Sequence, residues 1–318
     1  METLEACINS YPAATTSQWS CKIWDSLKFE VWNGENEDFI QGALEVLASV
    51  TKSLGQGTYS WALRNDNLPT ESNWMIEYVV PAATECKDRF NDSKKLYLVS
   101  TGKILGSIAK WHPYAFYLVA KTVMPSMYSM WKALKLPSEK QMLLAVYNYI
   151  LEARVHQPEN HKQYGSMATG FNDFRYEIFE IYAVSISSAQ SISMEKAFGK
   201  TAAEGLVLLF QIPSFLSADQ QGAIVQELHK ALWDPWKDSS IHDAILSALA
   251  QLSAEEPSTF QSITLMHFVD KLPDKRPQDP NLRTAKLEDV IGLLQDLVSV
   301  ACHGPCLKEE IARPPFNV

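Results

Sequence analysis

The sequence predicts an all-α chain, and three observations predict it. Apolar residues recur with the helical period along almost the whole length. No comparable segment alternates with the period of two that a half-buried strand requires. Turn and cap residues interrupt the pattern at short intervals, as the ends of many short helices do.

In chain order, the periodicity and its breaks predict helices over 17–32, 35–54, 71–90, 93–111, 114–134, 138–156, 172–190, 194–211, 217–233, 239–255, 258–271 and 287–301. Asn33-Gly34 closes the first helix, because these residues supply turn geometry that a helix interior disfavours. In the second, Phe39, Ile40, Ala43, Leu44, Leu47 and Val50 paint one face. Glu35, Glu37 and Asp38 fall at its start, where negative charge complements the macrodipole, so the acidic run needs no functional explanation. Pro81 and Pro125 fall inside the third and fifth helices, where a proline should kink the axis. Asp92-Ser93 and Pro137 separate further helices. Ser138 with Gln141, and Ser217 with Gln220, have the spacing of a capping box, in which two side chains satisfy each other's orphan backbone donors. After Asp238-Ser239, Ile241, Ala244, Ile245, Ala248, Leu249 and Leu252 again line one face.

Neighbouring helices are joined by a few residues, which predicts antiparallel pairs over 17–54, 71–111, 114–156, 172–211, 217–255 and 258–301. Residues 56–70, 157–170 and 272–286 read as loops, and 303–318 as an irregular tail. The chain also resembles itself. Ile104-Leu105-Gly106-Ser107-Ile108 leads to Pro113 and Phe116 much as Ala248-Leu249-Ala250-Gln251-Leu252 leads to Pro257 and Phe260. In each case an apolar helix ends, a proline opens the next, and an aromatic follows three residues on. Repeated helix pairs with kinked members are the pattern of HEAT repeats, so the expected fold is one HEAT-type α-solenoid over 1–318, of about six antiparallel pairs.

Composition bounds the function. The chain has 318 residues, 46% of them hydrophobic and 20% charged, which suits a packed core and excludes a largely disordered chain. Its formal net charge of -9 argues against long-range attraction of the whole chain to phosphate backbones or anionic lipid. Lys87, Arg89, Lys94 and Lys95 form the densest basic run and read as a solvated helix end and turn. Five scattered cysteines do not make a disulfide framework and point to a reducing compartment. No apolar stretch reaches membrane-spanning length, and Met1 to Pro12 lacks the pattern of a signal peptide. The expected localisation is therefore cytoplasmic and nuclear, and the sequon Asn91-Asp92-Ser93 is only a spelling.

Motifs that would carry chemistry are weak. Cys302, His303 and Cys306 supply three ligands where zinc or an iron–sulfur cluster needs about four, and read as a helix-terminal turn. His156 and His161 flank Pro158 at a spacing that does not share a helical face. The glycines of Gly55-Gln56-Gly57 lack the Lys and Ser/Thr of a phosphate loop, and no nucleophile elbow is present. An enzyme is not expected, and no catalytic, cofactor-binding or metal residue is assigned; no cofactor is implied. Trp19, Trp24, Trp32, Trp233 and Trp236 read as packed between stacked helices, with an exposed minority available to mark a partner site.

Several blocks in series resemble one family. They are Trp24-Asp25-Ser26-Leu27-Lys28-Phe29-Glu30-Val31, then Phe39 to Leu47, then Tyr78-Val79-Val80-Pro81 with Glu85-Cys86. Ala115-Phe116-Tyr117-Leu118-Val119 follows and leads to Pro125, and Leu151-Glu152-Ala153-Arg154 comes next. Gly205-Leu206-Val207-Leu208-Leu209 and Ile212-Pro213-Ser214-Phe215-Leu216 close the series. From about Trp19 to Pro273 their order and spacing resemble the MMS-nineteen nucleotide excision repair proteins, especially filamentous-fungal members. That family consists of HEAT-repeat adaptors of the cytosolic iron–sulfur protein assembly machinery.

The resemblance implies a scaffold that helps target clusters to apoproteins of DNA replication, repair and transcription. The implied partners are a WD-repeat propeller, a small DUF-fifty-nine-type factor and client apoproteins such as helicases, polymerases and primase. Direct nucleic-acid, membrane or small-molecule binding is not implied. Family members are several-fold longer and dock their assembly partners mainly on carboxyl-terminal repeats, so the resemblance makes this chain an interior piece of such a protein. Removing neighbouring repeats would then expose Trp19, Ile23 and Leu27 at one end and Val290, Leu294 and Leu297 at the other. Two other readings stay open: an unrelated HEAT scaffold such as a transport receptor, and a metal-binding or catalytic protein using Cys302, His303 and Cys306.

Overall fold

The computed structural model describes residues 1–58, 70–91, 97–157, 170–188, 196–213, 215–233, 239–255, 258, 260–272 and 280–301. The described residues are helical and contain no strand. The helices are α1 (Glu2–Ser10), α2 (Ala13–Asn33), α3 (Glu37–Thr58), α4 (Thr70–Arg89), α5 (Leu98–Ala109), α6 (Pro113–Ala133) and α7 (Pro137–Val155). A 3-10 turn, Gly170–Phe174, leads into α8 (Arg175–Ser188). There follow α9 (Lys196–Gln211), α10 (Ala218–Leu232), α11 (Ser239–Glu255), a π-helical turn (Phe260–Leu265), α12 (Met266–Lys271) and α13 (Pro280–Ala301). The chain divides into two units, Met1–Phe179 and Glu180–Val318.

In the first unit, helices pack mainly on their next-but-one neighbours. One row runs α1, α3, α5, α7, and the other runs α2, α4, α6 and the 3-10 turn. The contact between α5 and α7 is the most extensive, and sequence neighbours touch across the two rows. Gly102 and Gly106 make the α5–α7 approach close: a Cβ on Gly102 would stand 3.0 Å from the Val146 Cα. The core between the rows is filled by Val31, Leu47, Val79, Ile104, Val119, Leu143 and Ile150, all buried. Tyr78 is buried among them, and its hydroxyl donates to the Leu47 carbonyl at 3.3 Å. In the second unit α9 packs on α11 and α11 on α13, while α10 packs on the π-helical turn.

Local chemistry explains most element ends. Asn36 opens α3, its Oδ1 accepting from the backbone N–H of Asp38 at 2.9 Å and of Phe39 at 3.3 Å. The capping box of α10 forms as its spacing predicts: Ser217 N donates to Gln220 Oε1 at 3.0 Å, and Gln220 N donates to Ser217 Oγ at 3.3 Å. The box expected at Ser138 and Gln141 does not form. Leu136 is the N-cap there, because Pro137 occupies the first helical position and carries Ser138 inside the helix. Pro113 also takes a first-turn position in α6, behind an N-cap that sequence reading missed, His112. Pro81 and Pro125 lie inside α4 and α6 as expected.

Other expectations need correction. Helix α1 is absent from the sequence reading because its short amphipathic face becomes visible only once it packs on α3, where Ile8 is buried. The helix expected over 93–111 begins at Leu98, and the one expected over 172–190 begins as a 3-10 turn. The helix expected over 258–271 includes a π-helical turn, whose extra residue per turn periodicity alone does not reveal. The last helix starts at Pro280, within a stretch read as loop. Leu27, expected at an exposed end, is buried, whereas Trp19 is exposed and Ile23 half-buried. On α13, Leu294 is exposed while Val290 and Leu297 are half-buried. Cys302, His303, Cys306, the 303–318 tail, His161, Lys94, Lys95, Trp236 and Pro257 lie outside the described residues, as do most of the expected loops.

Candidate functional site

The strongest candidate is a groove on the second unit, between the packed helices α9 and α11. It encloses about 530 Å³ and is lined from α9 by Lys200, Glu204, Val207, Leu208 and Gln211. Asp243, Ala244, Ser247, Ala248 and Gln251 line it from α11. Residues three and four apart share a helix face, which is why each helix contributes one stripe. Val207 and Ala248 make a buried floor, and the rim is charged or carries amides and hydroxyls. Lys200 and Glu204 stand 4.0 Å apart along the rim, exposed enough that the pair is screened by solvent. An apolar floor with a hydrogen-bonding rim suits a polypeptide segment.

One hydroxyl within hydrogen-bond reach of a histidine is that of Thr264, beside His229. His229 Nε2 lies 3.0 Å from Thr264 Oγ1, its ring stacks on His267 at 4.9 Å, and Phe268 meets it edge-on. Burial, and then the neighbouring His267, hold the His229 pKa down at about 4, so the ring is neutral at pH 7. Both side chains are closed off from solvent, so no substrate reaches them, and the pair works as core packing around the π-helical turn. His112 is likewise buried and held down at about 4 by burial; its Nδ1 accepts from the Tyr114 N–H at 3.2 Å.

The tryptophans divide as their surroundings dictate. Trp24 and Trp32 are buried and meet edge to face at 5.8 Å. The Trp24 indole N–H donates to Glu85 Oε2 at 3.0 Å, and Lys28 Nζ donates to the same oxygen at 3.0 Å. Lys28 also reaches Asp25 at 2.8 Å. Burial works against the Lys28 charge, but the hydrogen bonds and charges of Asp25 and Glu85 outweigh it and raise its pKa. Trp19 is exposed beneath Lys22, and Trp233 packs on Phe268 at 5.2 Å.

The expected solvated basic run is not uniform. Arg89 lies over the rings of Trp32 at 4.5 Å and Tyr97 at 5.1 Å, so its guanidinium is stacked. His156 ends α7 at the surface, where its Nδ1 lies 2.8 Å from the Glu152 carbonyl oxygen. Cys7 and Cys21 are exposed thiols and Cys86 is a buried one, pushed up mainly by burial. Among the described residues, no group of three His, Cys, Asp or Glu side chains is placed to hold a metal ion, and no helix is long and apolar enough to cross a membrane.

The groove was illegible in the sequence. Lys200 with Glu204 shows an ordinary i, i+4 pair, and only the stacking of α9 on α11 brings Asp243 and Gln251 opposite them. Compared with known proteins, the chain matches no family model. No curated protein matches it significantly either.

Proposed function

We propose that this chain is a HEAT-type α-solenoid that works as a non-enzymatic scaffold, an adaptor in the targeting of cytosolic iron–sulfur cluster assembly to apoproteins. The observation that carries the scaffold reading is the packing of helices on their next-but-one neighbours, seen within each unit. Such rows leave long faces of helix in solvent, which repeat proteins use to hold partners. The α9–α11 groove supports the same reading, since an apolar floor with a charged and hydrogen-bonding rim suits a bound polypeptide segment. The iron–sulfur assignment rests on the order and spacing of the sequence blocks from Trp24 to Leu216.

The test is a pull-down of iron–sulfur apoproteins, such as helicase and primase subunits, with the purified chain, beside a full-length member of the family it resembles. Weak but reproducible retention of clients is expected, without recovery of the WD-repeat and DUF-fifty-nine-type factors at control levels. Absence of every client, where the control retains them, overturns the iron–sulfur assignment and leaves only the scaffold.

A further inference from the structure

Charge is unevenly distributed along the chain. Residues 97–157 carry six lysines and one arginine against two glutamates, in a protein whose formal net charge is -9. Helix α6 has no acidic residue at all. Its solvent face repeats one device. Tyr117, Lys121, Pro125, Tyr128 and Lys132 follow one another at helical spacing, each at least partly exposed. The Lys121 ammonium lies 5.7 Å from the Tyr117 ring centroid, and that of Lys132 lies 4.1 Å from the Tyr128 ring. At the flank, Lys140 from the start of α7 covers the Trp131 ring at 4.9 Å. A lysine stem lying on a ring keeps the ammonium at a defined place on the surface instead of sweeping through solvent.

We propose that the outer face of α6, continued by Lys140 and the exposed Leu136, is a docking surface for an acidic polypeptide segment in which carboxylates alternate with apolar residues. Charge complementarity sets the sign of the partner: a positive face on a negative protein attracts an anion only within about a Debye length, about 8–10 Å. A short acidic segment comes within that distance, whereas a long polyanion also meets the repulsion of the rest of the chain. The chemistry of the face argues in the same direction. Its cations are lysines, without the arginine forks that grip phosphate in two places. The rings are already covered by ammonium groups and are not open platforms for base stacking. Pro125 and Leu136 add exposed apolar surface between the charges, which an alternating segment would cover. From Tyr117 to Lys132 the stripe is roughly 22 Å long at 1.5 Å per residue, the reach of about seven extended residues.

This inference rests on the scaffold reading but not on the iron–sulfur assignment, and the experiment uses the purified full chain without assembly partners. Fluorescence anisotropy is measured with a labelled peptide of about ten residues, alternating glutamate with leucine and proline. Its glutamine counterpart and a single-stranded oligothymidylate serve as competing probes. The acidic peptide should bind, weaken as salt is added, and lose about tenfold in affinity with Lys121→Glu/Lys132→Glu. The glutamine peptide should not bind, and Lys230→Glu, an exposed lysine of the second unit, should leave binding unchanged. Lys121→Gln/Lys132→Gln, with an unaltered circular dichroism spectrum, should show a smaller loss and separates charge from misfolding. Failure of the acidic peptide to bind, binding indifferent to both double variants, or tighter binding of the oligothymidylate lost with the same variants would each overturn the proposal. If the peptide binds as expected while client pull-down fails, the docking surface stands and the iron–sulfur assignment falls.

Discussion

Gly106 of α5 lies directly against the backbone of Tyr149 on α7, so close that a Cβ at Gly106 would stand 2.9 Å from the Tyr149 carbonyl oxygen. Gly102, one turn earlier, stands in the same relation to Val146. In an isolated helix alanine would be favoured over glycine by about 1 kcal/mol. Here the added methyl meets backbone, which cannot turn aside, and forcing the helices apart costs about 1–3 kcal/mol. The double variant Gly102→Ala/Gly106→Ala should therefore lower the thermal midpoint and the urea midpoint. A midpoint equal to or above that of the parent would show that α5 and α7 are not so closely packed.

His112 and His229 make stability depend on pH. Each has a folded-state pKa of about 4, below its ordinary value of 6.5, and in each case burial is the first cause. Between those values the unfolded chain binds more protons, so stability falls as pH is lowered from about 6.5 toward 4. His112→Asn keeps an N-cap acceptor for the Tyr114 N–H and removes the titration. Urea midpoints measured from pH 7 to pH 4.5 should fall less steeply in His112→Asn than in the parent, and an unchanged slope would remove His112 from the account.

Glu85 joins α4 to α2 by accepting from both the Trp24 indole and Lys28. Glu85→Ala leaves a largely buried lysine with only the more exposed Asp25, and an indole N–H without its acceptor. The expected cost is about 1–3 kcal/mol. Denaturant unfolding followed by tryptophan fluorescence measures it, and a loss below about 0.5 kcal/mol would mark the cluster as a surface pair of little weight.

The thiols should differ in reactivity. Cys7 and Cys21 are exposed, whereas Cys86 is buried and its pKa is raised chiefly by burial, with the Glu85 charge adding to it. Thiolates react and thiols do not, so iodoacetamide at pH 8 should label Cys7 and Cys21 promptly and Cys86 only after denaturation. Mass mapping of the Cys86 peptide checks this. Prompt native-state labelling would place Cys86 at the surface.

Cys302, His303 and Cys306 together give three ligands at most, so the purified chain should carry no stoichiometric iron or zinc. Metal analysis of aerobic and anaerobic preparations reads this directly. Near-stoichiometric metal that disappears in Cys302→Ser would establish a metal site in its place.

Helices and many of their ends are legible in the one-dimensional pattern of residues. Periodicity placed α2 to α4, α6, α7 and α9 to α11 within a few residues, and Ser217 with Gln220 announced its capping box, because those signals lie within one or two turns of chain. Tertiary structure decided the rest. That Glu2–Ser10 is a helix depended on its packing against α3, and His112 as a buried cap depended on the neighbours that enclose it. That α5 packs more extensively on α7 than on its sequence neighbours follows from bringing Gly102 and Gly106 against Val146 and Tyr149. The α9–α11 groove needs residues about forty positions apart. A one-dimensional pattern reports which face of a helix is apolar, but which other face it meets, and what remains in solvent between them, is settled only when the helices pack.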